Sequence, residues 1–219
     1  MKRIIVFLIV VSVAITVVYY MQRTPKETLP IINPIDLNEE MVDSSLLRIG
    51  RDHKIGSFSF LSQEGKIITD KNVRGKVFVA EYFFTTCGTI CPQMNRQMQR
   101  VQKAYNNNPA LKIVSFTVNP EVDTVEQMKR YAFEHGANKN QWFFLTGEKE
   151  QLYRVARTSF FVLKPAEAQN LGDAGSDFIH TSNFVLVDKS MRIRGYYDGT
   201  SAKEVDKLIK DIFSLLKEK

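Results

Sequence analysis

The chain has 219 residues, 44% hydrophobic and 25% charged, with fifteen Phe and eight Tyr. That suffices for one domain with a full core plus an appendage, and it excludes disorder throughout. The net charge of +6 comes without a long Lys/Arg run or a basic stripe interleaved with stacking aromatics, so no nucleic-acid partner is expected.

Ile4–Met21 (IIVFLIVVSVAITVVYYM) carries no charge and follows Lys2 and Arg3. Its eighteen residues, at about 1.5 Å each, reach roughly 27 Å, near the hydrocarbon thickness of a bilayer. The run ends in Tyr19, Tyr20 and Met21, which suits an interfacial aromatic belt better than a small-x-small cleavage site. A single, uncleaved transmembrane helix over residues 1–21 is expected, with the rest of the chain outside the cytoplasm. Residues 22–48 contain Pro25, Pro30 and Pro34 and read as a tether. Residues 49–219 read as the folded domain.

Within that domain, Ser57–Ser62 and Lys66–Thr69 flank Gln63-Glu64-Gly65, the pattern of a hairpin. Lys76–Phe84 (KVFVAEYFF) is an apolar, β-rich run fit for a central buried strand. Pro92 suits the first turn of a helix, and Met94, Met98, Val101 and Tyr105 then recur at helical spacing until Asn106-Asn107-Asn108-Pro109. Leu111–Val118 predicts a second buried strand. Thr124 predicts a helix start, with Gln127 placed for a capping box and Gly136 at the end. Trp142–Leu145 predicts a short strand, Glu148–Thr158 a helix and residues 164–177 a loop. Asn183–Val187 and Arg192–Tyr197 form a second hairpin around Asp188-Lys189-Ser190. Ser201 caps a last amphipathic helix with Val205, Leu208, Ile209, Ile212 and Leu216 on one face. A hairpin, a β-α-β unit, an α-β-α stretch and a final hairpin plus helix together predict an α/β thioredoxin-like fold with an N-terminal β-hairpin.

The two cysteines, Cys87 and Cys91, are too few for a disulfide scaffold. They fall in the loop between the central strand and its helix, beyond the strand's carboxyl end, where open α/β sheets place their sites. A helix N-terminus favours thiolate there. Three residues separate them, one more than in a thioredoxin-type redox pair, so both sulfurs can converge on one ion. Soft thiolates favour Cu(I), zinc or iron–sulfur, and two cysteines exclude an all-cysteine site within the chain. A third ligand must come from elsewhere. Of three histidines, His53 is expected at the surface and His135 at a helix end. His180, in the loop before Asn183, is the candidate ligand.

These residues carry a resemblance. Phe84-Thr85-Thr86-Cys87-Gly88-Thr89-Ile90-Cys91-Pro92 resembles the F-T-x-C-x-x-x-C-P signature of the Sco/SenC family. The similarity continues through Gly75-Lys76-Val77, Val118-Asn119-Pro120-Glu121-Val122-Asp123-Thr124, Phe144-Leu145-Thr146-Gly147, and His180 ahead of Phe184-Val185-Leu186-Val187-Asp188. It implies a thioredoxin fold on the extracytoplasmic, periplasmic side of the cytoplasmic membrane. It implies copper, as Cu(I) or Cu(II), held by Cys87, Cys91 and His180. The partner it implies is the copper-accepting subunit of cytochrome c oxidase, whose binuclear copper centre the family helps to build. Gly88 departs from a common Pro, and Asn119 and Ile179 from common Asp residues.

The alternative function is a thiol–disulfide oxidoreductase in which Cys87 and Cys91 form the catalytic redox pair. A peroxiredoxin-type peroxidase is excluded. That chemistry uses a Thr three residues before the reactive Cys, and Phe84 and Gly88 occupy those places.

Overall fold

The computed structural model describes residues 2–23, 28–37, 42, 46, 50–162 and 182–218. Helix α1 (Lys2–Arg23) is 22 residues long, and its described side chains, residues 3–19, are exposed. Among the described residues no helix is long and apolar enough to cross a membrane.

The hairpin β1 (Ser59–Ser62) and β2 (Ile67–Thr69) turns at Gly65, whose φ of +68° is one that glycine tolerates without strain. The short helix α2 (Asp70–Val73), too brief for periodicity to reveal, leads into β3 (Val77–Phe83), which is buried along its whole length. Helix α3 (Cys91–Ala104), β4 (Leu111–Thr117), α4 (Val125–Glu134), β5 (Trp142–Thr146) and α5 (Lys149–Thr158) follow. The chain closes with β6 (Asn183–Val187), β7 (Ile193–Asp198) and α6 (Ala202–Lys217).

Among the described residues one seven-stranded sheet has the order β2-β1-β5-β4-β3-β6-β7. β3, β4 and β5 are parallel, and the other pairings are antiparallel. Alternation along β3 divides the core. Phe78, Ala80 and Tyr82 join the cluster containing Phe116, Phe160 and Val185. Val77, Val79 and Phe83 join the one containing Met94, Met98, Trp142, Leu208 and both cysteines. Each large apolar side chain buried this way contributes roughly 1.5–3 kcal/mol. On α6 the buried face is Val205, Leu208, Ile212 and Leu215, while Leu216 is only partly buried.

The stretch expected to be a tether contains a docked segment. Ile32 bridges antiparallel to Ile193, its N–H donating to the Ile193 carbonyl at 2.9 Å. The Arg194 guanidinium donates to the Leu29 and Pro30 carbonyls. Edge strand β7 is thus partly covered by chain that lies outside the domain expected from sequence. Proline content argues against a long α-helix there without saying what the stretch packs on.

His53 corrects another expectation. It is 4% exposed. Its Nε2 donates to the Ser159 carbonyl at 2.9 Å, and its ring lies 4.6 Å from that of Phe161. Burial pushes its pKa down, against the effect of the Ser159 carbonyl.

Candidate metal and dithiol site

The parallel register Phe83↔Thr117 sets the carboxyl ends of β3 and β4 side by side, and the Cys87 loop leaves from there. Cys87 N–H donates to the Phe84 carbonyl at 3.2 Å, closing a turn over Phe84-Thr85-Thr86-Cys87. Cys91 is the first residue of α3 and Pro92 the second, and Ile90 at the N-cap makes no side-chain capping bond. The Cys87 sulfur takes that place, accepting the Cys91 N–H at 3.4 Å. The first N–H groups of a helix lack partners within it, so a thiol here meets a ready donor and a favourable dipole. Thr89 Oγ1 lies 3.7 Å from the same sulfur.

Both cysteines are free thiols, Cys87 8% and Cys91 3% exposed, and they differ in character. Burial works to raise the Cys87 pKa, but hydrogen bonds from Cys91 and Thr89 outweigh it and bring it below the ordinary thiol value. Cys91 is pushed well up, by burial first, then by its hydrogen bond to Cys87, with the negative charge of Glu81 adding to the rise. The pair therefore has one thiol readied for deprotonation and one held protonated.

Beneath the pair lies a polar chain across three strands. Trp142 Nε1 donates to Ser115 Oγ at 2.7 Å, and Ser115 Oγ donates to Glu81 Oε1 at 2.6 Å. Glu81 is 1% exposed; burial raises its carboxyl pKa to about 7, against the lowering effect of Ser115. Beside Cys91, Asn95 Nδ2 donates to the Tyr131 hydroxyl, and the Tyr131 ring lies 5.5 Å from that of Phe83 and 4.3 Å from that of His135. His135 follows α4 directly, as its sequence position predicts.

The structure brings Cys87 and Cys91 together as expected. His180 and Ile179 lie outside the described residues. Among the described residues no group of three His, Cys, Asp or Glu side chains is arranged to hold an ion. Sequence reasoning assigned no role to Glu81, Ser115, Asn95, Tyr131 or Asp123. Glu81 had a signal, being the one acid within an otherwise apolar strand. The capping box at Thr124 forms by half: Thr124 Oγ1 accepts the Gln127 N–H at 3.3 Å, while the Gln127 amide turns to Thr85 Oγ1 in the Cys loop.

A sheet with two reduced cysteines, spaced C-x-x-x-C between its central strand and a helix N-terminus, defines a thioredoxin-like dithiol protein. The family model described as SCO1/SenC matches residues 48–217, and the chain belongs to that family. It is 33% identical over 165 residues to a SCO1 protein homolog of Bacillus subtilis (strain 168), covering 74% of this chain and 83% of the relative. Among solved structures it resembles BsSco, described as a member of the Sco family of cytochrome c oxidase assembly proteins with a disulfide switch. There the TM-score is 0.65 and the identity 30%, with 77% of this chain and 96% of the other covered. It also resembles Arabidopsis thaliana ScoI with copper bound, with a TM-score of 0.56, 26% identity and coverage of 72% and 97%.

Proposed function

We propose that this chain is a membrane-anchored copper chaperone for cytochrome c oxidase assembly, holding one copper ion through Cys87, Cys91 and His180. The observation that carries the reading is the Cys87 sulfur at the α3 N-terminus, next to Cys91 and with a lowered pKa. Two soft donors at one point fit Cu(I). The SCO1/SenC membership, the copper-bound Arabidopsis relative and the assembly role given for BsSco support the same reading. Copper is cargo here, and loading it onto two thiols releases their protons.

The anchor is the uncharged run Ile4–Met21, supported by the exposed apolar side chains of α1 from Ile4 to Tyr19. The domain from residue 49 then stands on the extracytoplasmic, periplasmic side, after a connecting stretch over 22–48 that includes the docked residues 29–32. The recipient is the copper-accepting subunit of cytochrome c oxidase.

A second reading, a thiol–disulfide oxidoreductase, is favoured by the contrast between the two thiols, one readied for attack and one protonated.

Thermal melts of the reduced protein with and without Cu(I) separate the two. Copper bound only by the folded state stabilises by about 2.7 kcal/mol at a free concentration 100 times Kd. His180→Ala should lose most of that gain yet still form the Cys87–Cys91 disulfide, and Cys87→Ser should lose both. Equal copper-dependent shifts in wild type and His180→Ala would remove His180 from the site and favour the oxidoreductase.

A further inference from the structure

Asp123 is fully buried and lies beyond the end of β4, in the loop that leads to α4. Its carboxylate accepts from the Thr85 N–H, at 3.1 Å to Oδ1 and 3.3 Å to Oδ2. It also accepts from the hydroxyls of Thr85 and Thr117. These three donors are all neutral. Thr85 Oγ1 in turn accepts from Gln127 Nε2 at 3.3 Å, and Thr117 Oγ1 from the Asn119 N–H at 2.9 Å.

Thr85 is the second residue of the turn that ends at Cys87. The turn's own bond, Cys87 N–H to the Phe84 carbonyl, fixes its shape; it does not fix how the turn is oriented against the sheet. The two-point grip of Asp123 on Thr85, through backbone and hydroxyl, supplies that orientation. Cys91 is the first residue of α3, and the bond from its N–H to the Cys87 sulfur, at 3.4 Å, forms only where the turn presents that sulfur. The placement of one sulfur relative to the other therefore depends on a carboxylate 36 residues after Cys87. Hydrogen bonds to an ionised acceptor are shorter and roughly twice as strong as neutral ones. A carboxylate also offers two acceptor oxygens, whereas an amide offers one and must turn its NH₂ toward a donor.

We propose that Asp123 is a positioning residue for the Cys87–Cys91 pair, acting through Thr85 to set where the Cys87 sulfur stands. The proposal rests on the dithiol reading of the site and names the residue that preorganises it. A loosened turn lowers the effective concentration of one thiol about the other. The disulfide then forms less readily, and a captured ion is held less tightly.

The test compares wild type, Thr85→Val, Thr85→Ser and Asp123→Asn in two measurements. One is the thiol–disulfide equilibrium in glutathione buffers; the other is Cu(I) retention against a competing chelator. Thermal melts of each variant accompany both. Thr85→Val and Asp123→Asn should shift the equilibrium toward the dithiol by about tenfold, or about 30 mV for the two-electron couple. Copper retention should weaken by about tenfold or more, as when residues that orient a ligand are lost. Thr85→Ser keeps the hydroxyl and should match wild type in both. Lower melting temperatures with unchanged equilibrium and copper retention would overturn the proposal, because a merely structural contact moves only the melt. Thr85 is half-buried, so Thr85→Val carries the test if Asp123→Asn does not fold. A wild-type protein with neither a reversible couple nor copper uptake would instead overturn the dithiol reading, and this inference with it.

Discussion

Two buried polar clusters stand at opposite ends of the sheet and are built differently. At the end away from the cysteines, beside Val187 and the start of β3, Arg194 is 4% exposed. It pairs with Asp188 at 3.0 Å and Glu218 at 2.8 Å, and donates to the Leu29 and Pro30 carbonyls. At the cysteine end, Asp123 is held, among the described residues, by neutral donors. The first cluster ties the N-terminal segment, the β6–β7 turn, β7 and the end of α6 into one knot. The second ties two neighbouring loops. A charge-rich cluster closes the framework, where strength of closure matters. A hydroxyl-rich one orients a reactive loop, where direction matters more than strength.

The largest effect should come from breaking the first cluster. Arg194→Met leaves Glu218 without its cation and Asp188 with Arg192 as its remaining one. Removing one partner of a buried pair costs about 3–5 kcal/mol, and Glu218 is only partly buried, so the lower end is expected. For a domain of this size, about 3 kcal/mol corresponds to a fall of roughly 6–12 °C in Tm. The Cys87–Cys91 equilibrium should not move. A potential that shifted along with the melt would show that the two ends are not independent.

Glu81 lies between the clusters and sharpens the contrast, because it is buried with Ser115 as its hydrogen-bonding partner. Its carboxyl titrates near 7 in the folded protein, against an ordinary 4.5. Between those values the native state keeps a proton that the unfolded chain has lost. Stability should therefore fall as pH rises from about 4.5 to about 7, then level off, by about 3 kcal/mol in all. Glu81→Gln should remove this slope, equalling wild type near pH 4.5 and exceeding it by about that amount at pH 8. Denaturant midpoints across this range provide the check; parallel curves for the two proteins would show that Glu81 does not titrate there.

The smallest effect concerns a polar atom that neither cluster serves. Among the described residues the buried Tyr82 hydroxyl meets no hydrogen-bond partner, and its ring stacks 5.3 Å from Phe116. Tyr82→Phe keeps the stacking and removes a hydroxyl that lost its water on folding. It should be neutral or stabilising by up to about 1 kcal/mol. A clear loss of stability in urea melts would reveal a partner for that hydroxyl.

Period and punctuation in the sequence determined much of this protein. Alternation and apolar runs located both hairpins and β3, Gly65 and Ser201 marked a turn and a cap, and the C-x-x-x-C spacing after a buried strand located the dithiol. Those signals are local, carried by residues a few positions apart. Tertiary structure alone decided that Ile32 and Arg194 join the N-terminal stretch to β7, that His53 goes inside, and that Leu215 rather than Leu216 completes the buried face of α6. It also decided that Trp142, Ser115 and Glu81 form one chain beneath the cysteines, and that Asp123 reaches back to Thr85. Each of these pairs residues brought together by strand order and register. A buried polar group takes whichever partner the neighbouring strand or loop presents, because leaving it unpaired costs about 1–3 kcal/mol. Nothing in the local pattern around either residue names that partner.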